Sequence, residues 1–293
     1  MRRRPDHADV HSPLHPTFAG EVTGLALRSV DDAPTLAAIR AAMDQYAVLV
    51  FPGQDLDDGA HLAFAQRLDG AVHAKTGARV VSKSRLGNEA LTDISNLDAD
   101  GNILPTDDRR RLYALANRLW HTDASFEDPP GRYSMLYAYV VPPVSADTQY
   151  ADTRTAYDAL DDATKARLEG LRVHHSIAYS RQTLGFEFSA EEADILKGAW
   201  HPLVRELPEQ GRRALYLASH ASTIEGWPTP EARLLLRELI EHATQPAYVY
   251  THAWRQGDLV IWDNRTTMHR GKSFSDQQHR RELRRVTTLD LPR

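Results

Sequence analysis

The amino-acid sequence predicts a mainly β fold with flanking helices, arranged as an antiparallel barrel or a jelly roll. The second half of the chain is dominated by short apolar runs that end at prolines or glycines, which is typical of strands and turns. These runs do not alternate regularly with helices, as they would in a parallel sheet. The sequence also contains no internal repeat, low-complexity tract or clear linker, so a single domain over residues 14–293 is predicted.

The N-terminal part is predicted to contain a tail, two helices and one buried strand. Residues 1–13 are polar and contain two prolines, so they are expected to form a flexible tail. Residues 33–45 carry apolar side chains at spacings of three and four residues, which indicates an amphipathic helix. The apolar run 47–51 ends at a Pro-Gly pair and is predicted to be a buried strand, and a second helix is predicted over 56–68.

Residues 70–92 lack a clear period and include three glycines, so a long loop is predicted there, of the kind that serves as a lid or a binding loop. The remaining strands are predicted at residues 134–141, 148–151, 171–178, 214–218, 248–250, 258–262 and 284–289. Two further helices are predicted at residues 156–168 and 230–243.

The composition is that of a globular protein with a sizeable core, with 42% hydrophobic and 26% charged residues. The formal net charge of −5 argues against nucleic acid or an anionic membrane as a partner. No apolar run approaches the roughly 18 residues of a membrane helix, and the basic start lacks the apolar run of a secretory signal, so a cytoplasmic location is expected. The absence of cysteine excludes disulfides, thiolate metal sites and a cysteine nucleophile.

A His-x-Asp motif at His121 and Asp123 is the first candidate for chemistry. At a strand end, side chains two residues apart point to the same side, so both can reach one ion. A third ligand from a distant strand would leave three coordination sites open, as in non-haem iron(II) oxygenases. The motif alone is weak, because roughly one copy is expected by chance among 14 histidines. A second copy at His7 and Asp9 lies in the predicted tail without rigid support and is judged meaningless.

Seven sequence stretches, spread from near the N-terminus to the C-terminus, form a wider pattern around this pair. They are Leu14-His15-Pro16, Asp93-Ile94-Ser95-Asn96, Leu119-Trp120-His121-Thr122-Asp123, Arg132-Tyr133-Ser134-Met135-Leu136, Arg154-x-Ala156-Tyr157-Asp158-Ala159-Leu160, Trp262-Asp263-Asn264-Arg265-x-x-x-His269-Arg270 and Arg281-Glu282-Leu283-Arg284-Arg285. Together they resemble the taurine dioxygenase superfamily, and more narrowly the 2,4-dichlorophenoxyacetate/2-oxoglutarate dioxygenase family. Each stretch is unspecific alone, but the set covers almost the whole chain and is highly specific.

The resemblance implies a double-stranded β-helix, the cupin-like jelly roll, that carries a metal triad of His121, Asp123 and His269. It implies iron(II), Fe(II), as the metal, 2-oxoglutarate as the cosubstrate and dioxygen (O2) as the oxidant. A small-molecule carboxylate is the implied substrate, and a homo-oligomer would follow the habit of the family. Without these motifs, each histidine would more simply be a satisfied polar residue near a strand end.

Four arginines within residues 280–285 offer cations for two carboxylate ligands. The planar arginine fork suits carboxylates, and both 2-oxoglutarate and the implied substrate carry them. On a strand, Arg281 and Arg285 would share one face about 13 Å apart, so that each could hold one ligand. Without the triad, the run would be read as a solvated face or a nucleic-acid patch, and Arg280 and Arg284 are expected to be surface residues.

The resemblance also implies a role for individual residues around the two ligands. Arg281 matches the arginine that binds the far carboxylate of 2-oxoglutarate, and Arg285 matches the arginine that anchors the substrate carboxylate. Thr148 matches the threonine whose hydroxyl assists the far carboxylate. Two departures from the family pattern concern loop geometry: a Ser-Ala pair stands where glycines are usual, and one extra residue separates the distal histidine from the arginines.

Other residues are candidates for contacts near the site. Asn117 is expected to contact substrate or cosubstrate, with a turn-capping role as the equal alternative. Ser125 follows the aspartate and is expected to line the substrate pocket, and Lys75 of the predicted loop is a candidate partner for the substrate's carboxylate or aromatic group. Asp263 and Arg265 are expected to pair and brace the turn before the distal histidine.

The implied reaction is hydroxylation of the carbon between the carboxylate and the ether oxygen of an aryloxyalkanoate such as 2,4-dichlorophenoxyacetate. The product collapses to a phenol and glyoxylate, while 2-oxoglutarate gives succinate and carbon dioxide. The alternatives are a related dioxygenase for a sulfonate such as taurine, an alkyl sulfate or another carboxylate, and a non-catalytic jelly-roll binding protein. A zinc hydrolase would also use two histidines and an aspartate, but it would leave Arg281 and Thr148 unexplained.

Overall fold

The structure, a computed structural model, describes residues 10–74 and 85–292. Within them the predicted mainly β fold with flanking helices is confirmed. The strands in chain order are β1 (Val10–Pro13), β2 (Gly20–Val22), β3 (Val48–Phe51), β4 (Thr92–Ser95), β5 (Gly131–Val140), β6 (Thr148–Asp152), β7 (Arg172–His175), β8 (Ala199–Pro202), β9 (Val204–Leu207), β10 (Arg212–Leu215), β11 (Ala221–Ile224), β12 (Val249–His252), β13 (Leu259–Asp263), β14 (Thr267–Gly271) and β15 (Glu282–Leu289). The helices are α1 (Ala33–Tyr46), α2 (Asp58–Asp69), α3 (Arg109–Ala114), α4 (Thr153–Asp158), α5 (Asp162–Leu168), α6 (Ile177–Gln182), α7 (Ala190–Ile195) and α8 (Thr229–Ala243).

The main sheet has the strand order β1-β2-β3-β13-β5-β15-β4, and all of its pairs are antiparallel except β2 with β3. A second sheet has the order β12-β6-β14, a third sheet of three strands has the order β11-β7-β8, and β10 pairs with β9. Long-range antiparallel pairing of this kind, between strands far apart in sequence, is that of the predicted jelly roll. The main sheet and the second sheet carry His269, Thr148 and Arg285 of the residues expected at the site.

The main sheet is buried on both faces, because alternate side chains of its central strands point to opposite sides. Val50 of β3 and Trp262 of β13 pack with Tyr150 of β6, which joins the main sheet to the second sheet. Leu49 and Ile261, their neighbours along the chain, pack instead with the buried side chains of α1 and α2. The helices therefore cover one face of the main sheet, and the interior between the two sheets is left for the site.

Three predicted boundaries are corrected by local hydrogen bonds. The predicted tail 1–13 is too long, because Val10–Pro13 pair with β2 as a strand, while residues 1–9 lie outside the described part. The predicted helix 156–168 is divided into α4 and α5, because the Asp161 side chain accepts a hydrogen bond from the Thr164 N–H and caps a new helix. The predicted strand 171–178 ends at β7 for the same reason, since Ser176 caps α6.

The decoy motif at His7 and Asp9 also lies outside the described residues. Where the chain is described, its helices are too short or too polar for any of them to cross a membrane.

Candidate metal centre and ligand cavity

His121 and His269 are held side by side by their own backbones. His121 follows a 3-10 turn at Leu115–Arg118, and His269 lies in β14 of the second sheet. The two residues exchange both backbone hydrogen bonds, at 3.0 Å and 2.8 Å, and so form a hydrogen-bonded antiparallel pair. Their ring centroids lie 4.1 Å apart, so two imidazoles are presented at one point.

Asp123 completes a cluster of three buried ligand groups. The Nε2 atom of His121 lies 3.8 Å from Oδ1 of Asp123, and that of His269 lies 3.6 Å from Oδ2. One ligand atom from each residue can be chosen so that all three lie within 4.8 Å of one another. Two nitrogens and one carboxylate oxygen are the donor set of a facial metal site, and the predicted triad is therefore brought together; these three residues are called the metal centre below.

The ionisation states at the metal centre suit a divalent cation. Burial lowers the pKa of His121 to about 4 and lowers that of His269 well below its usual value, so both rings are neutral near pH 7. Burial would raise the pKa of Asp123, but Arg285 and the two histidines outweigh it and the pKa falls below the usual range. Neutral imidazoles and an ionised carboxylate are the forms that bind metal.

His121 is oriented by a second hydrogen bond. Its Nδ1 lies 2.8 Å from the carbonyl oxygen of Leu119. Because a carbonyl oxygen can only accept, the ring hydrogen of His121 must be on Nδ1. The lone pair of Nε2 then points toward Asp123 and is available to a metal.

Asn264 and Ser134 fix the Asp123 side of the centre. The Asp123 N–H donates to Asn264 Oδ1 at 3.0 Å, and the amide Nδ2 of Asn264 donates to Ser134 Oγ at 3.0 Å. Ser134 in turn donates to Asp123 Oδ2 at 2.8 Å. Asn264 and Ser134 stand in the matching sequence stretches, but the sequence alone predicts no role for them, because the Asn264 contacts span more than 100 residues and the 11-residue gap between Asp123 and Ser134 forms no motif.

A cavity of about 160 Å³ opens beside the metal centre. Its wall includes His121 and His269 together with four residues that the sequence predicts around the ligands, namely Asn117, Thr148, Arg281 and Arg285. Apolar side chains, among them Leu136 and Trp262, form other parts of the wall. The structure therefore gathers two imidazoles and four guanidiniums around one space, and the guanidiniums of Arg111 and Arg118 pair with Asp276 of the same wall.

Arg281 and Arg285, the two arginines that the sequence predicts at the ligands, differ in their surroundings. Arg281 has no carboxylate within ion-pair distance in the described part of the chain, and burial lowers its pKa to about 10, which still leaves it protonated at neutral pH. Arg285 forms an ion pair with Asp123 of the metal centre. Arg280 is exposed as predicted, whereas Arg284 is half-buried in an ion pair with Asp58 at 2.5 Å.

Two of the remaining predictions have clear outcomes. Ser125 does not line the cavity: it is fully buried, and its hydroxyl lies 2.9 Å from Nδ1 of His175 and 3.3 Å from the Thr122 carbonyl. The predicted pairing of Asp263 with Arg265 is confirmed at 2.7 Å, just before β14. Lys75 lies outside the described residues.

Comparisons with known proteins agree with this geometry. Residues 11–287 match the family described as "Taurine catabolism dioxygenase TauD, TfdA family". The chain is 45% identical to the alpha-ketoglutarate-dependent 2,4-dichlorophenoxyacetate dioxygenase of Burkholderia sp. (strain RASC), over 94% of this chain and 93% of that protein. It is 36% identical to an (S)-phenoxypropionate/alpha-ketoglutarate-dioxygenase of Sphingobium herbicidovorans, over 92% of this chain and 91% of that one.

A solved structure shares the whole architecture. The crystal structure of AAD-2 in complex with Mn(II) and N-oxalylglycine superimposes with a TM-score of 0.90 and 45% sequence identity, and the match covers 95% of this chain and 96% of that one. The family match over most of the sequence, the shared fold and the His-Asp-His metal centre lead to one conclusion: the chain belongs to the taurine catabolism dioxygenase TauD, TfdA family.

Proposed function

We propose that this protein is an iron(II)- and 2-oxoglutarate-dependent dioxygenase that hydroxylates the carbon next to the carboxylate of an aryloxyalkanoate such as 2,4-dichlorophenoxyacetate. The observation that carries this proposal is the pair of cavity arginines beside a buried His-Asp-His cluster. The guanidiniums of Arg281 and Arg285 suit two carboxylate ligands, the cosubstrate and an organic acid.

His121, Asp123 and His269 are the residues that would hold iron(II). They fit this ion because they offer two neutral imidazole nitrogens and one ionised carboxylate from one side, which leaves the other side open to ligands. When bound there, iron(II) with 2-oxoglutarate and dioxygen supplies the oxidising chemistry, and the protein's own part is binding, orientation and exclusion of water.

Arg281 and Thr148 are proposed to bind the far carboxylate of 2-oxoglutarate. A half-buried guanidinium without a carboxylate partner is costly, and a bound anion would compensate its charge. The Thr148 hydroxyl lines the same cavity and adds a neutral hydrogen-bond partner. His121 and His269 line the same cavity, so the other end of a dianion held by this pair would face the metal centre.

Arg285 is proposed to anchor the substrate carboxylate. Its ion pair with Asp123 neutralises a carboxylate that a metal ion would otherwise neutralise. With a divalent cation bound by the metal centre, the Arg285 guanidinium would be freed in part from Asp123 and could attract a second anion. Asn117 lines the cavity next to the centre, and the apolar parts of the wall suit the apolar body of such an acid.

In the overall reaction, oxidation of the cosubstrate accompanies oxidation of the substrate, and each takes one oxygen atom from dioxygen. One atom of dioxygen enters succinate as 2-oxoglutarate loses carbon dioxide, and the other replaces a C–H bond of the substrate with C–OH. The hydroxylated carbon carries an ether oxygen, so the product is a hemiacetal that breaks into a phenol and glyoxylate. The relatives that are 45% and 36% identical are named for aryloxyalkanoate substrates, which supports this substrate class over sulfonates and alkyl sulfates.

The test is a screen of succinate release with iron(II), 2-oxoglutarate and one acid at a time. We expect 2,4-dichlorophenoxyacetate to stimulate succinate release with an equal amount of phenol, and taurine and an alkyl sulfate to have little effect. The His121→Ala and Asp123→Ala variants should lose this stimulation. Sulfite release from taurine would favour the sulfonate alternative, and failure to bind iron(II) would favour a binding protein without chemistry.

A further inference from the structure

The Thr148 hydroxyl takes part in a hydrogen bond in which donor and acceptor can be assigned. Thr148 is buried at the start of β6, and its Oγ1 lies 2.9 Å from Nε1 of Trp254. An indole N–H can donate but cannot accept, so Thr148 is the acceptor in this bond. A threonine hydroxyl has one hydrogen and two lone pairs. The hydrogen of Thr148 is therefore still available to another acceptor.

No acceptor for that hydrogen is found among the hydrogen bonds of the described residues, although Thr148 is almost completely buried. Because the indole occupies one side of the oxygen, the hydrogen is directed away from Trp254. Thr148 lines the cavity that also contains the Arg281 guanidinium. A carboxylate in this cavity would provide the missing acceptor, and buried hydroxyls normally find one.

We propose that Trp254 is a positioning residue that fixes the Thr148 hydroxyl as a hydrogen-bond donor toward the far carboxylate of 2-oxoglutarate. The inference rests on the proposed function, since it takes the role of Thr148 from it. Trp254 itself acts through Thr148, so its effect should be confined to cosubstrate binding.

The surroundings of Trp254 explain how its N–H is aimed. Register places His252 of β12 opposite Thr148 of β6, and Trp254 follows two residues later. The His252 ring meets the indole edge to face, with centroids 4.6 Å apart and an interplanar angle of 89°. The Nδ1 of His252 is in turn within 3.2 Å of the Tyr250 hydroxyl, and Oδ2 of Asp258 lies 3.1 Å from its Nε2. The indole is thus fixed before any ligand arrives.

The size of the effect follows from one neutral hydrogen bond. Without the indole N–H, the hydroxyl can rotate among several orientations, and the bound orientation has to be selected when the ligand binds. A neutral hydrogen bond contributes about 1 kcal/mol net, so removing this one should weaken carboxylate binding by roughly three- to tenfold.

The experiment measures the dissociation constant of N-oxalylglycine, an unreactive analogue of 2-oxoglutarate, by calorimetry on the full-length Mn(II)-loaded protein. The variants are Trp254→Phe, Thr148→Val and the double variant, with Trp200→Phe, an exposed tryptophan of β8, as the matched control. We expect Trp254→Phe to raise the dissociation constant three- to tenfold and Trp200→Phe to leave it unchanged. The double variant should be no weaker than Thr148→Val alone.

Further outcomes separate this inference from the function on which it rests. If Thr148→Val weakens binding and Trp254→Phe does not, Trp254 has no positioning role. An added loss in the double variant would show that Trp254 acts by another route and would also overturn the inference. No loss in Thr148→Val would remove Thr148 from the proposed cosubstrate site.

Folding of the variants is controlled in two ways. Near-UV circular dichroism and thermal denaturation show whether the variants keep the native structure. If Trp254→Phe does not fold, Trp254 is replaced with benzothienylalanine, which keeps the bicyclic shape but has sulfur in place of the N–H. The same rise in the dissociation constant is expected for this replacement, and unchanged binding would contradict the proposal.

Discussion

The guanidinium carbon of Arg270 lies 4.6 Å from the centre of the Trp120 ring. Arg270 directly follows His269 and Trp120 directly precedes His121, so the contact joins the two neighbours of the metal-centre histidines. It lies beside the two backbone hydrogen bonds between His121 and His269, so the two ligand-bearing segments are joined by side chains as well as by main chain. Arg270 also donates from Nε to Gln149 Oε1 at 2.9 Å, which ties the stack to β6.

The stack leads to a first prediction for Arg270→Ala. A cation–π contact contributes about 0.5–2 kcal/mol, depending on its exposure. We therefore expect the free energy of unfolding to fall by about 1 kcal/mol, and Mn(II) to bind a few-fold more weakly because the spacing of the histidines is less fixed. Urea denaturation and a Mn(II) titration measure both effects. The control is Arg237→Ala, which removes only an exposed i,i+4 ion pair and should change neither quantity by more than about 0.5 kcal/mol. Unchanged Mn(II) affinity in Arg270→Ala would show that the stack has no part in holding the ligands.

The two cavity arginines predict a division of binding between cosubstrate and substrate. Charge-assisted hydrogen bonds contribute about 1.5–3 kcal/mol, which corresponds to roughly ten- to a hundredfold in affinity. Arg285→Met should raise the KM for 2,4-dichlorophenoxyacetate by this factor and change that for 2-oxoglutarate little. Arg281→Met should do the reverse. Steady-state succinate assays with each component varied in turn distinguish them, and an equal loss for both ligands in either variant would contradict the division.

Much of the site could be predicted because its signals are local or belong to a specific set of motifs. His121 and Asp123 stand two residues apart, and Arg281 and Arg285 are four apart on one segment, so short spacings place each pair on a common side. The pairing of β15 with β5 is irregular between Glu282 and Leu283, which lie between the two arginines. Arg281 and Arg285 nevertheless both line the cavity.

The failures have local physical causes. Ser125 was expected in the pocket because it follows Asp123 closely, but Ala124 between them adopts a φ of 52°, a left-handed conformation unusual for alanine. The chain turns there, and the serine enters the interior. Trp254 leaves no signal in the sequence, because its partner Thr148 is 106 residues away and no spacing reveals such a contact.

Ser134 is predicted to adjust the metal affinity through Asp123. Its hydroxyl donates to Asp123 Oδ2 at 2.8 Å and helps to keep the pKa of that carboxyl low. Hydrogen bonds to metal ligands typically change metal affinity by about 10- to 100-fold. We expect Ser134→Ala to weaken Mn(II) binding about tenfold, with Ser29→Ala, an exposed serine bonded only to a nearby carbonyl, as the control. Equal Mn(II) affinities in the two variants would exclude this role for Ser134.

His61 predicts a pH dependence of stability away from the metal centre. It is fully buried in α2, with Nε2 3.1 Å from the Met135 carbonyl, and burial lowers its pKa to about 4 despite this hydrogen bond. As the pH falls below about 6.5, the unfolded chain therefore takes up a proton that the folded protein does not. The free energy of unfolding should decrease between pH 6.5 and 4, by up to about 1.4 kcal/mol per pH unit from this group. Urea denaturation across this range should show a shallower slope for His61→Gln, and an identical slope would show that His61 is not a source of the dependence.

Arg181 is a second buried arginine near the centre, and it is surrounded by neutral groups. Its guanidinium donates to Asn117 Oδ1 at 3.3 Å and to His220 Nε2 at 3.1 Å, and it lies 4.5 Å from the centre of the Tyr113 ring. In the described part of the chain no carboxylate lies within ion-pair distance of it. Asn117 lines the cavity. Because its Oδ1 accepts from Arg181, its Nδ2 is the atom left to contact a ligand.

Arg181→Lys should therefore affect the substrate more than the cosubstrate. A lysine keeps the charge but cannot reproduce the planar fork that reaches both Asn117 and His220. We expect the KM for 2,4-dichlorophenoxyacetate to rise about three- to tenfold, as for the loss of one hydrogen bond, while N-oxalylglycine binds with unchanged affinity. Arg233→Lys is the matched control. Arg233 of α8 is exposed and stacks on the ring of Tyr179, which lies in α6 together with Arg181. If the two variants behave alike, or if Arg181→Lys weakens N-oxalylglycine as much as substrate, then Arg181 stabilises the fold and does not orient Asn117 toward the substrate.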